Sequence, residues 1–153
     1  MFADLLFGQM LQALDYIATH KYIHRHVKPA NILFAKSETE EFTFYLGDFG
    51  VSKPVDTRAN QVETPMFAAP KVHWQGSKQT TKVDVWSLFV PMLWVLDVDR
   101  FRSKAHKLER ENFLAWISKL AASPSMAPIP EMVRIGPEER ASAAQMLFHL
   151  YIR

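Results

Sequence analysis

The feature that most constrains the fold is a pair of short apolar segments separated by a polar, acidic one. Residues 31–34 (N-I-L-F) and 42–46 (F-T-F-Y-L) have the composition of β-strands, and residues 35–41 have that of a turn. The sequence therefore predicts a β-hairpin. Such a hairpin would hold Asn31 and Asp48 close in space although they are distant in sequence.

Two motifs flank this hairpin. Residues 24–33 read H-R-H-V-K-P-A-N-I-L, and residues 46–50 read L-G-D-F-G. The first resembles the catalytic loop of eukaryotic Ser/Thr protein kinases, whose pattern is H-R-D-x-K-P-x-N-I-L, and the second resembles their metal-binding D-F-G motif. The resemblance departs from the family at His26, which stands where the family has the aspartate that acts as catalytic base.

The resemblance implies a role for each matching residue. Lys28 matches the lysine that steadies the transferred phosphoryl group, and Asn31 and Asp48 match the ligands of the magnesium ion that accompanies ATP. Arg25 matches the arginine that grips a phosphorylated activation segment, a task that suits a guanidinium group. Thr64 matches the threonine that braces the catalytic base.

Further stretches extend the resemblance over nearly the whole chain. Residues 51–63 are polar, as expected of an exposed activation segment, and residues 64–71 (T-P-M-F-A-A-P-K) resemble its closing motif. Asp84, within D-V-W-S-L, matches a buried aspartate that hydrogen-bonds the catalytic-loop backbone. Lys71 replaces a glutamate that pairs, in the family, with the arginine matched here by Arg140. We therefore expect that buried pair to be lost.

The helical signals agree with the fold that the resemblance implies. Apolar residues recur at helical spacing from Ala3 to Thr19, and residues 88–96 are apolar on all sides, as in a buried helix. Pro91 should kink that helix because it removes a backbone hydrogen bond. Residues 101–110 are charged and predicted to lie at the surface, and residues 137–147 resemble the closing helix of the family.

The predicted architecture is one domain, residues 1–153, of mainly α (α+β) class. It resembles the C-terminal lobe of a protein kinase, with short β-hairpins and with the N-terminal lobe absent. The five glycines of the chain are too scattered to form the G-x-G-x-x-G loop that covers the phosphates of ATP in that first lobe.

This combination leaves three functions open: an inactive pseudokinase, a piece of an ATP-dependent Ser/Thr kinase whose first lobe is missing, and a protein-binding module that uses the surface of the lobe. An imidazole can accept a proton. However, a protonated His26 would repel magnesium, and a neutral one would orient a substrate hydroxyl differently from a carboxylate. Two oxygen ligands alone hold Mg²⁺ poorly. We therefore expect no phosphoryl transfer, and weak or absent binding of ATP and magnesium at Asn31 and Asp48.

Composition narrows the partners and the location. A net charge of +2 gives no electrostatic reason to expect a nucleic acid or a membrane as partner. The resemblance to protein kinases implies a protein partner or substrate. No apolar run approaches the roughly 20 residues of a membrane span. Asp4 and Asp15 interrupt the apolar N-terminal stretch, which excludes a signal peptide there. The absence of cysteine is compatible with a reducing compartment, so we expect an intracellular protein, cytoplasmic or nuclear.

Overall fold

The computed structural model describes residues 2–57, 65–70, 79–124 and 129–152, and within these ranges the protein is mainly helical. Its α-helices are α1 (Phe2–Thr19), α2 (Lys82–Leu96), α3 (Phe101–Lys104), α4 (Arg110–Ala121) and α5 (Ala143–Tyr151), and its strands are β1 (Tyr22–Ile23), β2 (Ile32–Lys36), β3 (Phe42–Leu46) and β4 (Lys53–Pro54). The predicted class, mainly helical with short β-hairpins, is confirmed. Among the described residues, no helix combines the length and the hydropathy that a membrane crossing requires.

Helix α1 forms because its apolar residues recur three and four positions apart, which places them on one face. The helix predicted from Ala3 to Thr19 is confirmed, with Phe2 added at its N-terminal end. Its apolar face packs against α2, α5 and β3. The buried apolar side chains of that face are Leu6, Phe7, Met10, Leu11, Leu14 and Ile17.

The predicted hairpin is confirmed, although its first strand begins one residue later and extends two residues further than residues 31–34. Strands β2 and β3 are antiparallel, with Ile32 opposite Leu46. At the open end of the hairpin, the backbone N–H of Gly47 donates to the carbonyl oxygen of Asn31 over 2.8 Å. The hairpin therefore brings the two motifs that flank it into contact.

A second, smaller strand pair joins the same region from the other side. Tyr22 and Ile23 of β1 lie opposite Pro54 and Lys53 of β4 in an antiparallel pair. This pair connects the start of the first motif to the segment that follows the second motif. The loop between β1 and β2 is therefore held at one end by this pair and at the other by the hairpin.

Helix α2 is the buried centre of the protein. Every residue from Val83 to Leu93 is buried, which confirms the prediction for residues 88–93. The last two residues of the predicted run, Val95 and Leu96, are exposed because the end of the helix emerges from the core. The helix continues as one element through Pro91, and the kink at that residue stays a prediction. Its first turn carries Asp84, a buried carboxylate that faces the loop between β1 and β2.

Two predictions about the second half of the chain need correction. Residues 101–110 are only partly at the surface, because Phe101 and Ala105 are buried and the ring of Phe101 stacks on Trp116 of α4 at 5.1 Å. The closing helix begins later than the motif suggested. It starts at Ala143, where the side chain of Ser142 accepts a hydrogen bond from the third residue of the helix in a capping box.

Candidate active site

Asp84 fixes the backbone at the start of the candidate catalytic loop, as predicted. Its Oδ2 accepts a hydrogen bond from the His24 N–H at 2.7 Å, and its Oδ1 accepts one from the Arg25 N–H at 2.8 Å. Burial raises the pKa of Asp84 to about 6, while the two N–H groups act to lower it, so the carboxyl is ionised at neutral pH. These bonds hold Arg25 at a φ of 70°, a left-handed conformation that L-residues rarely adopt.

His24 connects the two motifs. Its ring is fully buried, with Nε2 2.8 Å from the carbonyl oxygen of Gly47 and Nδ1 3.2 Å from the backbone N–H of His26. A carbonyl accepts and an N–H donates, so the ring is neutral and carries its proton on Nε2. Burial, the largest effect, lowers the pKa of His24 and agrees with that assignment. The sequence motifs alone assign no role to His24. Its position at the start of the first motif is the feature that could have indicated one.

His26 contacts the second motif directly. Its Nδ1 lies 3.2 Å from Oδ2 of Asp48, and because a carboxylate only accepts, this nitrogen carries a proton. The side chain of His26 is 10% exposed and that of Asp48 is 50% exposed. Nε2 of His26 is buried and has no hydrogen-bond partner among the described residues. One ring nitrogen is thus a donor to Asp48, and the other is enclosed.

Asn31 completes the group that the structure brings together. Its side-chain amide donates to the carbonyl oxygen of His26 at 2.8 Å and is buried. Asp48 has a left-handed φ of 58°, and its Oδ1 accepts a hydrogen bond from the Gly50 N–H at 3.4 Å. Asn31, His26 and Asp48 therefore form one connected cluster around the open end of the hairpin.

This cluster fits magnesium poorly. Mg²⁺ requires near-octahedral coordination by oxygen, and here an imidazole N–H faces one of the two Asp48 oxygens. Across the described ranges, no group of three or more His, Cys, Asp or Glu side chains is placed to hold a metal ion. Among the described residues, Asn31 and Asp48 supply the oxygen donors that match the family pattern.

The remaining predicted site residues are less closely tied to the cluster. The carbonyl of Lys28 accepts the N–H of Asn31 at 3.0 Å, but within the described part of the chain its ammonium forms no hydrogen bond or ion pair with His26 or Asp48. Nη1 of Arg25 donates to the Val51 carbonyl at 3.4 Å, and burial lowers the pKa of this guanidinium. Thr64 lies outside the described residues, so its bracing role stays a prediction.

The described contacts of Arg140 are with backbone carbonyls and with Trp86, and Lys71 lies outside the described residues. Its guanidinium is almost completely buried and 5.3 Å from the ring of Trp86. Burial lowers its pKa to about 10, and Glu138 acts in the opposite direction. Its buried N–H groups donate to the backbone carbonyls of Arg134, Lys82 and Ile135. The expected loss of a pair between positions 71 and 140 stays a prediction.

Comparisons with known proteins agree with the motifs. The family model described as protein kinase domain matches residues 3–152. The chain is 30% identical over 162 residues to serine/threonine-protein kinase 10 of Homo sapiens, an alignment that covers 94% of this chain and 16% of that protein.

Two further relatives show the same relation. The chain is 29% identical over 157 residues to serine/threonine-protein kinase Nek3 of Oryza sativa subsp. japonica, covering 95% of this chain and 25% of the relative. It is 29% identical over 166 residues to the ovarian-specific serine/threonine-protein kinase Lok of Drosophila melanogaster, covering 99% of this chain and 34% of the relative. The chain thus spans between 16% and 34% of the length of the curated relatives it matches.

Proposed function

Because the chain belongs to the protein kinase family, we propose that it is a Ser/Thr-type kinase-like domain that performs no phosphoryl transfer. The observation that carries this proposal is the contact between His26 Nδ1 and Asp48 Oδ2 at 3.2 Å. It joins the position of the family's catalytic base and the position of a family metal ligand in one hydrogen bond.

This contact opposes both chemical tasks. A general base needs a lone pair within reach of the substrate hydroxyl. In His26 one nitrogen is a donor to Asp48 and the other is buried. Kinase catalysis also depends on metal ions that neutralise the transferred phosphoryl group, and the N–H of His26 competes with a cation for Asp48. We therefore propose that ATP and magnesium bind weakly or not at all.

A second candidate is part of an active Ser/Thr kinase. It is favoured by the scaffold, since Asp84 holds the loop backbone as the family pattern implies, and Asn31 bonds the carbonyl of residue 26. Lys28, Arg25 and Thr64 would then have the roles that the family pattern gives them. In either case we propose a protein as partner or substrate, and an intracellular location.

The first experiment separates these two candidates by phosphoryl transfer. The purified chain is incubated with radiolabelled ATP, magnesium and a generic basic protein substrate, beside an Asp48→Ala variant. The proposal expects label incorporation equal to that of the variant, because neither base nor metal site is competent. Incorporation that follows the wild-type chain through purification and disappears in Asp48→Ala would establish the active alternative.

The second experiment measures the metal site itself. His26→Asp removes the N–H that faces Asp48 and adds a second carboxylate, which a hard cation prefers. We expect the variant to bind Mn²⁺, a paramagnetic substitute for magnesium, about tenfold more tightly, roughly 1.4 kcal/mol, as measured by water proton relaxation.

The matched control is His106→Asp, which makes the same charge change at an exposed histidine of another surface. Equal Mn²⁺ affinity in the wild type and both variants would show that His26 does not restrict the site.

A further inference from the structure

A cavity is formed by the segment that connects α3 to α4 and by the first turn of α4. Its volume is about 320 Å³, which is within the range of small-molecule sites. The described residues that line it are Met66, Ala105, His106, Leu108, Arg110 and Phe113. None of these belongs to residues 24–33 or 46–50, so the cavity shares no lining residue with the two motifs of the candidate active site.

Most of the cavity wall is apolar. Ala105 and Phe113 are buried, Met66 is partly buried, and Leu108 is 38% exposed. An aromatic or branched aliphatic group that enters the cavity would displace water from these side chains, which is favourable in proportion to the apolar area covered. The cavity therefore suits a ligand with a compact apolar body.

Arg110 is the one described lining residue with a permanent charge. Its Nη2 donates to the Ala68 carbonyl oxygen over 2.7 Å, and its guanidinium carbon lies 5.9 Å from the ring centre of Phe113. These contacts hold the group at the cavity wall. A guanidinium has five N–H groups in a planar fork, so it can bond to a carbonyl and to a carboxylate at the same time.

The burial of Arg110 makes an anion favourable beside it. Burial lowers the pKa of this guanidinium, because water solvates its charge less well than at an exposed site. An anion in the cavity would offset that loss of solvation, and the attraction between the two charges is stronger away from bulk water.

The charged neighbours of the cavity favour a single negative charge on the ligand. Arg102 and Lys104 already pair with Asp97 and Asp99, so they are not counted here as partners for an anion. The carboxylates of Glu109 and Glu111 are exposed and are not among the described lining residues. One guanidinium matches a monoanion better than a polyanion.

Hydrogen bonds fix the shape of the cavity before any ligand binds. The Leu108 N–H donates to the Ala105 carbonyl at 3.4 Å, and the Phe113 N–H donates to the Glu109 carbonyl at 2.8 Å. The fully buried ring of Phe101 anchors the start of the same segment in the core. A preformed site loses less entropy when a ligand binds.

From these observations we propose that the cavity binds a small organic monoanion with an aromatic or branched aliphatic body, such as an aromatic carboxylate. The carboxylate lies against Arg110, and the apolar body lies against Leu108 and Phe113. A cationic ligand would be repelled by Arg110, and a neutral ligand would gain nothing from its charge.

The test is a titration of the isotope-labelled full chain with sodium naphthoate, followed by the NMR chemical shifts of the backbone amides. We expect saturable shifts centred on residues 105–113. The neutral analogue naphthalenemethanol keeps the ring system and lacks the charge, so it should bind about tenfold more weakly. This comparison uses the wild-type chain and does not depend on the folding of a variant.

Arg110→Met removes the charge and keeps an unbranched side chain. Naphthoate should bind this variant about tenfold more weakly than the wild type, whereas the affinity of naphthalenemethanol should stay the same. The matched control, Arg134→Met, removes an exposed arginine that is not among the described lining residues and should change neither affinity. Circular dichroism verifies that both variants are folded.

Three results would overturn the proposal. The first is equal affinity of the wild type for naphthoate and for its neutral analogue. The second is an equal loss of naphthoate affinity in Arg110→Met and Arg134→Met, which would indicate general charge attraction. The third is the absence of saturable shifts, or shifts centred outside residues 105–113.

Discussion

At the scale of single residues, the side chains that hold the loop backbone are retained, and the one that would perform chemistry is altered. Asp84 and His24 are buried and bond to backbone groups. Arg140 likewise satisfies its guanidinium with carbonyl oxygens. His26 replaces a carboxylate and bonds to Asp48, a contact that two carboxylates could make only by sharing a proton.

Asp84 provides a pH-dependent prediction at this scale. Its pKa rises from the usual 3.8 to about 6 in the folded protein. Between these values the folded state binds more protons than the unfolded state, so the contribution of Asp84 to stability is largest below pH 3.8 and is lost as the pH rises to about 6. Asp84→Asn lacks this titration. The free energy of unfolding of the wild type, minus that of Asp84→Asn, should therefore fall by about 3 kcal/mol as the pH rises from 3.8 to about 6.

Urea unfolding of both proteins at a series of pH values measures this difference, and other titrating groups cancel because both chains carry them. A difference that does not change with pH would mean that the hydrogen bonds from His24 and Arg25 fully offset the burial of the carboxyl.

At the scale of elements, local sequence patterns were sufficient to predict the secondary structure of segments that bury one of their faces. The spacing of apolar residues predicted α1 within one residue, and the polar turn between two apolar segments predicted the hairpin. The start of α5 was not predictable because residues 137–142 belong to a family motif whose arginine faces inward. Arg140 reaches backbone carbonyls from a turn, not from a helix. Phe101 was assigned to the surface because its neighbours in sequence are charged.

Lys21 offers a prediction about the end of α1. It is the second residue after the helix and has a φ of 61°, and its N–H donates to the Ala18 carbonyl at 3.0 Å. Glycine adopts this left-handed conformation without steric strain. We expect Lys21→Gly to increase the free energy of unfolding by about 1 kcal/mol. Lys21→Ala removes the same exposed side chain but keeps the strain, so it should be near neutral. A Lys21→Gly variant no more stable than Lys21→Ala in urea unfolding would contradict this account.

At the scale of the whole molecule, the sequence predicted contacts between residues more accurately than it predicted their chemical roles. The hairpin placed Asn31 near Asp48, and the structure connects them through His26. The sequence does not predict the contact of His26 with Asp48, because the family pattern indicates a base at position 26 and not a hydrogen-bond donor. The roles of Thr64 and Lys71 belong to segments outside the described residues and stay predictions.

The outer face of the hairpin exposes apolar side chains. Leu33 and Tyr45 lie opposite each other on β2 and β3, and they are 55% and 53% exposed. The opposite face packs on α1 through Phe44, which is buried. Exposed apolar patches promote association, so this outer face should govern the behaviour of the chain at high concentration.

The last prediction tests that face with two substitutions, Leu33→Thr and Tyr45→Thr, made together. Threonine is favourable in strands, so the hairpin should persist while apolar surface is removed. We expect light scattering at high protein concentration to fall several-fold. The control, Phe148→Thr with Ile152→Thr, removes a comparable exposed apolar pair from the C-terminal helix region and should have little effect. If the control lowers scattering as much as the hairpin variant, association depends on total apolar exposure. In that case the outer face has no special part in it.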